Sequence, residues 1–252
     1  MAEFDRQGYA RPETGARAGA HVIDEGLRAY MIRVYNYMAA GVAITGVVAY
    51  VTFLMAVQQT GAGLQLTDFG TFLFTSPFRW VVMLAPLGMV FFLSARIGRM
   101  SLGGAQTAFW AFAALMGLAL ASIFLVYAGG SIARVFFITA AAFGGLSLYG
   151  YTTKKDLSGW GSFLIMGLIG IIIASLVNIF LASSALQFAV SVIGVLVFSG
   201  LTAYDTQRIK EMYYVGDDGT VAGRKAIMGA LSLYLDFINL FMMLLSLFGS
   251  RE

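Results

Sequence analysis

Polar and apolar positions along this chain fall into long blocks, without the short alternation of a soluble fold. After a charged opening come seven apolar runs, each near the ~20 residues a helix needs to cross a bilayer. They cover roughly 31–57, 79–97, 104–127, 132–149, 160–181, 185–207 and 227–248. Pro86 interrupts the second run, which a membrane helix tolerates where neighbours satisfy the freed carbonyl. The pattern predicts an all-α polytopic membrane protein: a seven-helix transmembrane domain over 31–252, preceded by a partly disordered tail over 1–30.

Composition agrees with the pattern. Hydrophobic residues make up 59% of the chain and charged residues 12%, a balance that excludes an ordinary soluble domain. Cysteine is absent, which removes disulfides, thiolate metal sites and a cysteine nucleophile. The tail lacks the apolar core and cleavage site of a signal peptide and has too many acids for a transit peptide. Its His21, the one histidine, is expected to be solvated.

Lys and Arg residues set the expected orientation. With the amino terminus cytoplasmic and the carboxyl terminus outside, the tail arginines, Arg33, Arg96, Arg99, Lys154, Lys155, Arg208, Lys210, Arg224 and Lys225 all fall inside. Only Arg79, Arg134 and Arg251 fall outside. The excess of base is therefore a topology signal and implies no nucleic-acid partner.

Two loops are longer than the rest, about 58–78 outside and 208–226 inside. Asp217-Asp218-Gly219 reads as a turn, since the other positions of a calcium loop are missing. The pairs Ala140/Gly144 and Ala141/Gly145 put small residues on one helix face and predict tight packing there. Trp80, Trp110 and Trp160 lie where interfacial anchors lie, and Asn36 and Asn178 are expected to bond between helices.

The last run carries the chemistry. Asp236 sits in its middle, where a carboxylate costs several kcal/mol and so faces a partner or a water-filled cavity. Ser232, Asp236, Asn239 and Met243 recur at intervals of four, three and four residues, which places them on one helical face. Asp205, in Tyr204-Asp205-Thr206-Gln207-Arg208, lies near the end of the sixth run, on the side where the seventh begins. The two aspartates are thus able to meet. The plainer alternatives are pairing of Asp205 with Arg208 or Lys210 on its own helix, and a structural hydrogen bond for Asp236. Arg96 and Arg99 are snorkelling residues by default, though either would also serve as a cation for the acids.

Three strings carry a resemblance: Tyr149-Gly150-Tyr151-Thr152-Thr153-Lys154-Lys155-Asp156-Leu157, Tyr204-Asp205-Thr206-Gln207, and residues Leu231 to Phe241 around Asp236. They resemble the transmembrane Bax inhibitor motif (Bax inhibitor-1) family, bacterial branch, over nearly all of the chain from the first span onward. The resemblance implies that the last helix is central and wrapped by the other six. It also implies a pH-sensitive calcium leak, gated by an aspartate pair matching Asp205 and Asp236, in a bacterial inner membrane. A basic residue of the second helix is implicated in the family, with Arg99 the better match and Arg96 the other. Some relatives carry an acid in that helix, whereas this chain has none between Arg79 and Arg96.

Two carboxyl groups in a low dielectric cannot both ionise cheaply, so they share a proton and titrate as a unit. The expected gate is Asp205 with Asp236, supported by Tyr204, Ser232 and Asn239. Calcium is expected as the transported ion, since it prefers carboxylate and carbonyl oxygens. No cofactor or enzymatic activity is expected, and the lipid bilayer is the obligatory partner. A second reading is a regulatory protein acting on a membrane protease or a stress response. Intramembrane aspartyl proteolysis fits worse, since Leu233-Tyr234-Leu235-Asp236 lacks the glycines around such a catalytic aspartate and no proline follows.

Overall fold

The computed structural model describes residues 13–60 and 63–251. The chain runs α1 (Glu13–Ala56), a hairpin of β1 (Val57–Thr60) and β2 (Gly63–Leu66), α2 (Asp68–Phe74), α3 (Phe78–Arg96), α4 (Leu102–Leu120), α5 (Gly129–Thr152), α6 (Ser158–Leu181), α7 (Ser184–Glu211) and α8 (Gly219–Phe248). Seven of these helices, all but α2, are long and apolar enough to cross a membrane. The protein is an all-α polytopic membrane protein, as the blocks of hydropathy predict.

The differences from the sequence reading lie at the edges. Helix α1 begins at Glu13, so residues 13–30 of the expected tail are helical, while residues 1–12 and the His21 side chain lie outside the described residues. The loop expected over 58–78 is instead structured. Its strands pair antiparallel with Val57 opposite Leu66, and Thr67 then caps α2 and donates its hydroxyl to the Met55 carbonyl at 2.9 Å. Strand pairing between backbone groups and one threonine hydroxyl make these contacts, and neither changes the hydropathy of the segment. Helix α3 runs through Pro86 without ending.

Helix α8 is the most buried span: 56% of its most apolar window is buried, against 11% for α6. It packs mainly against α1, α4, α5 and α7, while α3 packs on α4 and α6 on α7. The expectation of a last helix wrapped by all six others thus reduces to four close neighbours with two spans in an outer row. Two clusters of buried side chains meet along α8. One holds Val34, Phe109, Phe112, Ile227, Leu233 and Tyr234, and the other holds Val135, Leu164, Val197, Phe198, Leu240 and Leu245.

A few polar groups tie the core together. Thr45 donates to the Ala113 carbonyl at 2.8 Å, so the Tyr234 hydroxyl, 2.6 Å from Thr45 Oγ1, must be the donor to it; this joins α8, α1 and α4. At the carboxyl end, Ala128 N donates to Ser250 O and Ser250 N to Ser131 Oγ, which pins the chain end to the start of α5. The Ala140/Gly144 and Ala141/Gly145 faces point outward, and a Cβ at Gly144 or Gly145 would meet nothing within 4 Å. The close approach in α5 belongs to Gly150, where a Cβ would lie 2.2 Å from Ala203 O. Trp80 and Trp160 are exposed as anchors should be, whereas Trp110 packs on Phe109 and Tyr37. Asn178 accepts from Ser183 N at the start of α7, and Asn36 is exposed.

Candidate functional site

The site forms where α7 and α8 run antiparallel, and small residues decide how close they come. A Cβ at Gly194 would lie 2.6 Å from Met243 Sδ, and one at Gly229 would lie 2.9 Å from Ile209 Cγ2. Glycine at both positions lets the two backbones approach, as small residues do between membrane helices. The resulting register sets Ser191 Oγ 3.0 Å from Ser246 Oγ at one end and Asp205 beside Asp236 toward the other. The turn between the helices is clamped by Lys225, whose Nζ reaches Asp217 Oδ2 at 2.6 Å and Met212 O at 3.1 Å. Asp218 caps α8 by accepting from Thr220 N and Val221 N. Asp217 and Asp218 thus have structural partners in the turn.

Asp205 and Asp236 are brought together within hydrogen-bonding reach of each other. Asp236 is 5% exposed, and its Oδ2 has no N–H or O–H partner. These facts are compatible because two carboxylates have no proton to place between them. A single proton on the pair would supply the missing donor. The carboxyl groups open on a cavity of about 260 Å³, also lined by Tyr204, Arg208, Ser232 and Asn239. Asn239 donates its Nδ2 to Leu235 O on its own helix. A smaller cavity of about 80 Å³ on the side of the α7–α8 turn shares Asp205, Arg208 and Ser232. Among the described residues no third histidine, cysteine or acid joins the pair, so an ion there would complete its shell with neutral oxygens and water.

The expected arginines are not here. Arg96 ends α3 and Arg99 lies in the 3-10 turn Ile97–Arg99; both are exposed and neither lines the cavity. The cation that acts on Asp205 is Arg208, one helical turn along α7. Arg208 is the own-helix partner that the sequence allows for Asp205, and the exposed positions of Arg96 and Arg99 fit the snorkelling expected of them by default. Here the second acid, and not an arginine, is the neighbour of Asp236. The turn that holds Arg99 is instead capped from α8, with Arg224 Nη1 donating to Gly98 O at 2.6 Å.

Gln207 was not singled out from sequence, yet it sets the position of this part of α7. Its Nε2 donates to Lys155 O at 2.9 Å, and its Oε1 accepts from Leu157 N at 2.8 Å, so one buried side chain holds the α5–α6 turn against α7. The signal available was a glutamine two residues after an aspartate in an apolar span. Lys210, the other own-helix cation expected for Asp205, donates to Tyr151 O at 2.9 Å.

Comparison with known proteins covers nearly the whole chain. The family model described as inhibitor of apoptosis-promoting Bax1 matches residues 27–252. A protein of Rickettsia prowazekii is 50% identical over 229 residues, covering 91% of this chain and 92% of its own. One from Caulobacter vibrioides is 48% identical over the full length of both. The Escherichia coli inner membrane protein YbhL is 48% identical over 230 residues, covering 90% of this chain and 94% of its own.

Proposed function

The chain belongs to the Bax inhibitor-1-like family, and we propose that it is a pH-sensitive calcium leak gated by the Asp205–Asp236 pair. The observation that carries this reading is a buried carboxyl oxygen without an N–H or O–H partner, facing a second carboxyl group beside a cavity inside the bilayer span. An intramembrane acid that faces another acid has the layout of a proton-linked ion site.

In this proposal one shared proton forms a short hydrogen bond between the carboxyl groups and tethers α7 to α8. When it leaves, two like charges remain in a low dielectric and repel, which loosens the tether and favours a cation between them. Calcium suits two carboxylates with the neutral oxygens of Asn239, Ser232 and Tyr204 around them. Arg208 lines the same cavity, so its charge opposes occupancy by a cation. The chain moves an ion and performs no bond chemistry.

We place the pair on the cytoplasmic side of an inner membrane, with the amino terminus cytoplasmic and the carboxyl terminus outside. The distribution of Lys and Arg supports that orientation, and the name of the Escherichia coli relative supports that membrane. The test is calcium entry into dye-loaded proteoliposomes from pH about 5 to 8, the range in which a coupled buried carboxyl pair titrates. Wild type should leak more as pH rises, and Asp236→Asn should leak independently of pH. Folded wild-type protein that passes no calcium at any pH refutes the proposal.

A further inference from the structure

A second cavity, larger than the one at the aspartates, opens between α1 and α5 and encloses about 620 Å³. Both helices pack on α8 while standing apart from each other. Among the described residues, a hydrogen bond from Tyr35 Oη to Ser147 Oγ at 2.6 Å ties their walls. The direction of that bond is fixed from its far end. Thr206 donates to Thr202 O, so Ser147 must donate to Thr206 and Tyr35 to Ser147. The back of the cleft is Phe143, buried and edge-on to Phe237 of α8.

Along its length the cleft changes character. Met31, Ile32, Phe143 and Leu148 make an apolar body, with Ile32 48% and Leu148 62% exposed at the opening. Gly144 lies on its wall, and a Cβ there would meet nothing within 4 Å. At the end nearest the membrane surface stand Arg28 and Tyr151, and the Lys210 ammonium lies 5.2 Å from the centre of the Tyr151 ring. A cationic mouth over an apolar slot has the polarity profile of an anionic phospholipid, and basic pockets between membrane helices recognise such headgroups.

The occupant follows from that polarity. Ile32 and Leu148 are exposed at the opening on helices that cross the membrane, so acyl chains meet the apolar body there, and Arg28 beside it supplies the charge that a lipid phosphate needs. We infer that the α1–α5 cleft is a binding site for one anionic phospholipid, with an acyl chain against Phe143 and Gly144 and the phosphate on Arg28. This site is separate from the aspartate pair and stands whether or not the protein leaks calcium.

The test uses the full-length protein purified in detergent, exposed to dioleoyl-phosphatidylglycerol or dioleoyl-phosphatidylcholine, with retained lipid counted by native mass spectrometry. Wild type should retain one phosphatidylglycerol in preference to phosphatidylcholine. Arg28→Gln should reduce that preference about fivefold, as expected for one surface cation. Gly144→Phe, which fills the slot from an open position, should abolish retention of both lipids at unchanged melting temperature. Leu148→Trp at the opening is a second block should the first variant fold poorly. Equal retention of the two lipids by wild type, or undiminished retention by a folded blocking variant, overturns the inference.

Discussion

Gly194 of α7 lies against Met243 of α8 so closely that a Cβ added to the glycine would sit 2.6 Å from the methionine sulfur. This contact lies on the same α8 face as Asp236 and helps set the register that brings the acids together. Gly194→Ala should therefore cost about 1–3 kcal/mol, as overpacking does. Met243→Ala added to it should recover part of the loss, because the clash is with that side chain. Thermal melts of the two single variants and the double variant check this; a double variant no more stable than Gly194→Ala would mean the contact does not limit the approach.

Gly150 and Gly144 occupy one helix and make opposite predictions. A Cβ at Gly150 would lie 2.2 Å from the backbone oxygen of Ala203, which cannot rotate away, whereas one at Gly144 enters open space. Gly150→Ala should lose about 3 kcal/mol or fail to yield folded protein. Gly144→Ala should be neutral or slightly stabilising, since alanine is the better helix former. Yield of monodisperse protein and melting temperature separate the two.

Gln207 holds the α5–α6 turn through Lys155 O and Leu157 N. Gln207→Leu removes both bonds and should cost about 1–3 kcal/mol for the groups left unpaired. Faster amide hydrogen exchange over residues 153–158 than in wild type is the expected signature. Unchanged exchange there would show that the turn holds without the glutamine.

Arg208 and the aspartates should separate in their effect on calcium flux. Either Asp205→Asn or Asp236→Asn removes one member of a coupled pair and should abolish the pH response. Arg208→Gln keeps the pair but removes a positive charge from the cavity that lodges the ion, so flux at a given pH should rise. Flux of the three variants against pH in proteoliposomes reads both effects, and flux through Arg208→Gln no higher than that of wild type would contradict the assigned role.

Much of the site was legible in the sequence because charge is rare in a membrane span. Asp205, Asp236 and the Ser232–Asp236–Asn239 spacing needed only the helical period and the cost of a buried acid, and the structure places Tyr204, Ser232 and Asn239 around the same cavity. The place of Arg99 was not legible, for a physical reason. Position along one chain tells how near a residue lies to its helix end, but not which way the 3-10 turn beneath it points, and that turn is held by Arg224 from 126 residues away.

What the sequence determined by itself is which segments enter the bilayer, because transfer of about 20 apolar residues depends on composition and length alone. It also determined that two of those segments carry acids. Which faces meet was decided by the tertiary structure, through side chains distant in sequence: Gly194 on Met243, Gly150 on Ala203, and Gln207 on the α5–α6 turn. Lipid tails are as apolar as the helices, so hydropathy does not choose among helix pairings, and close packing of small residues with a few hydrogen bonds does. The same packing leaves α1 and α5 apart, and the cleft between them exists only in three dimensions.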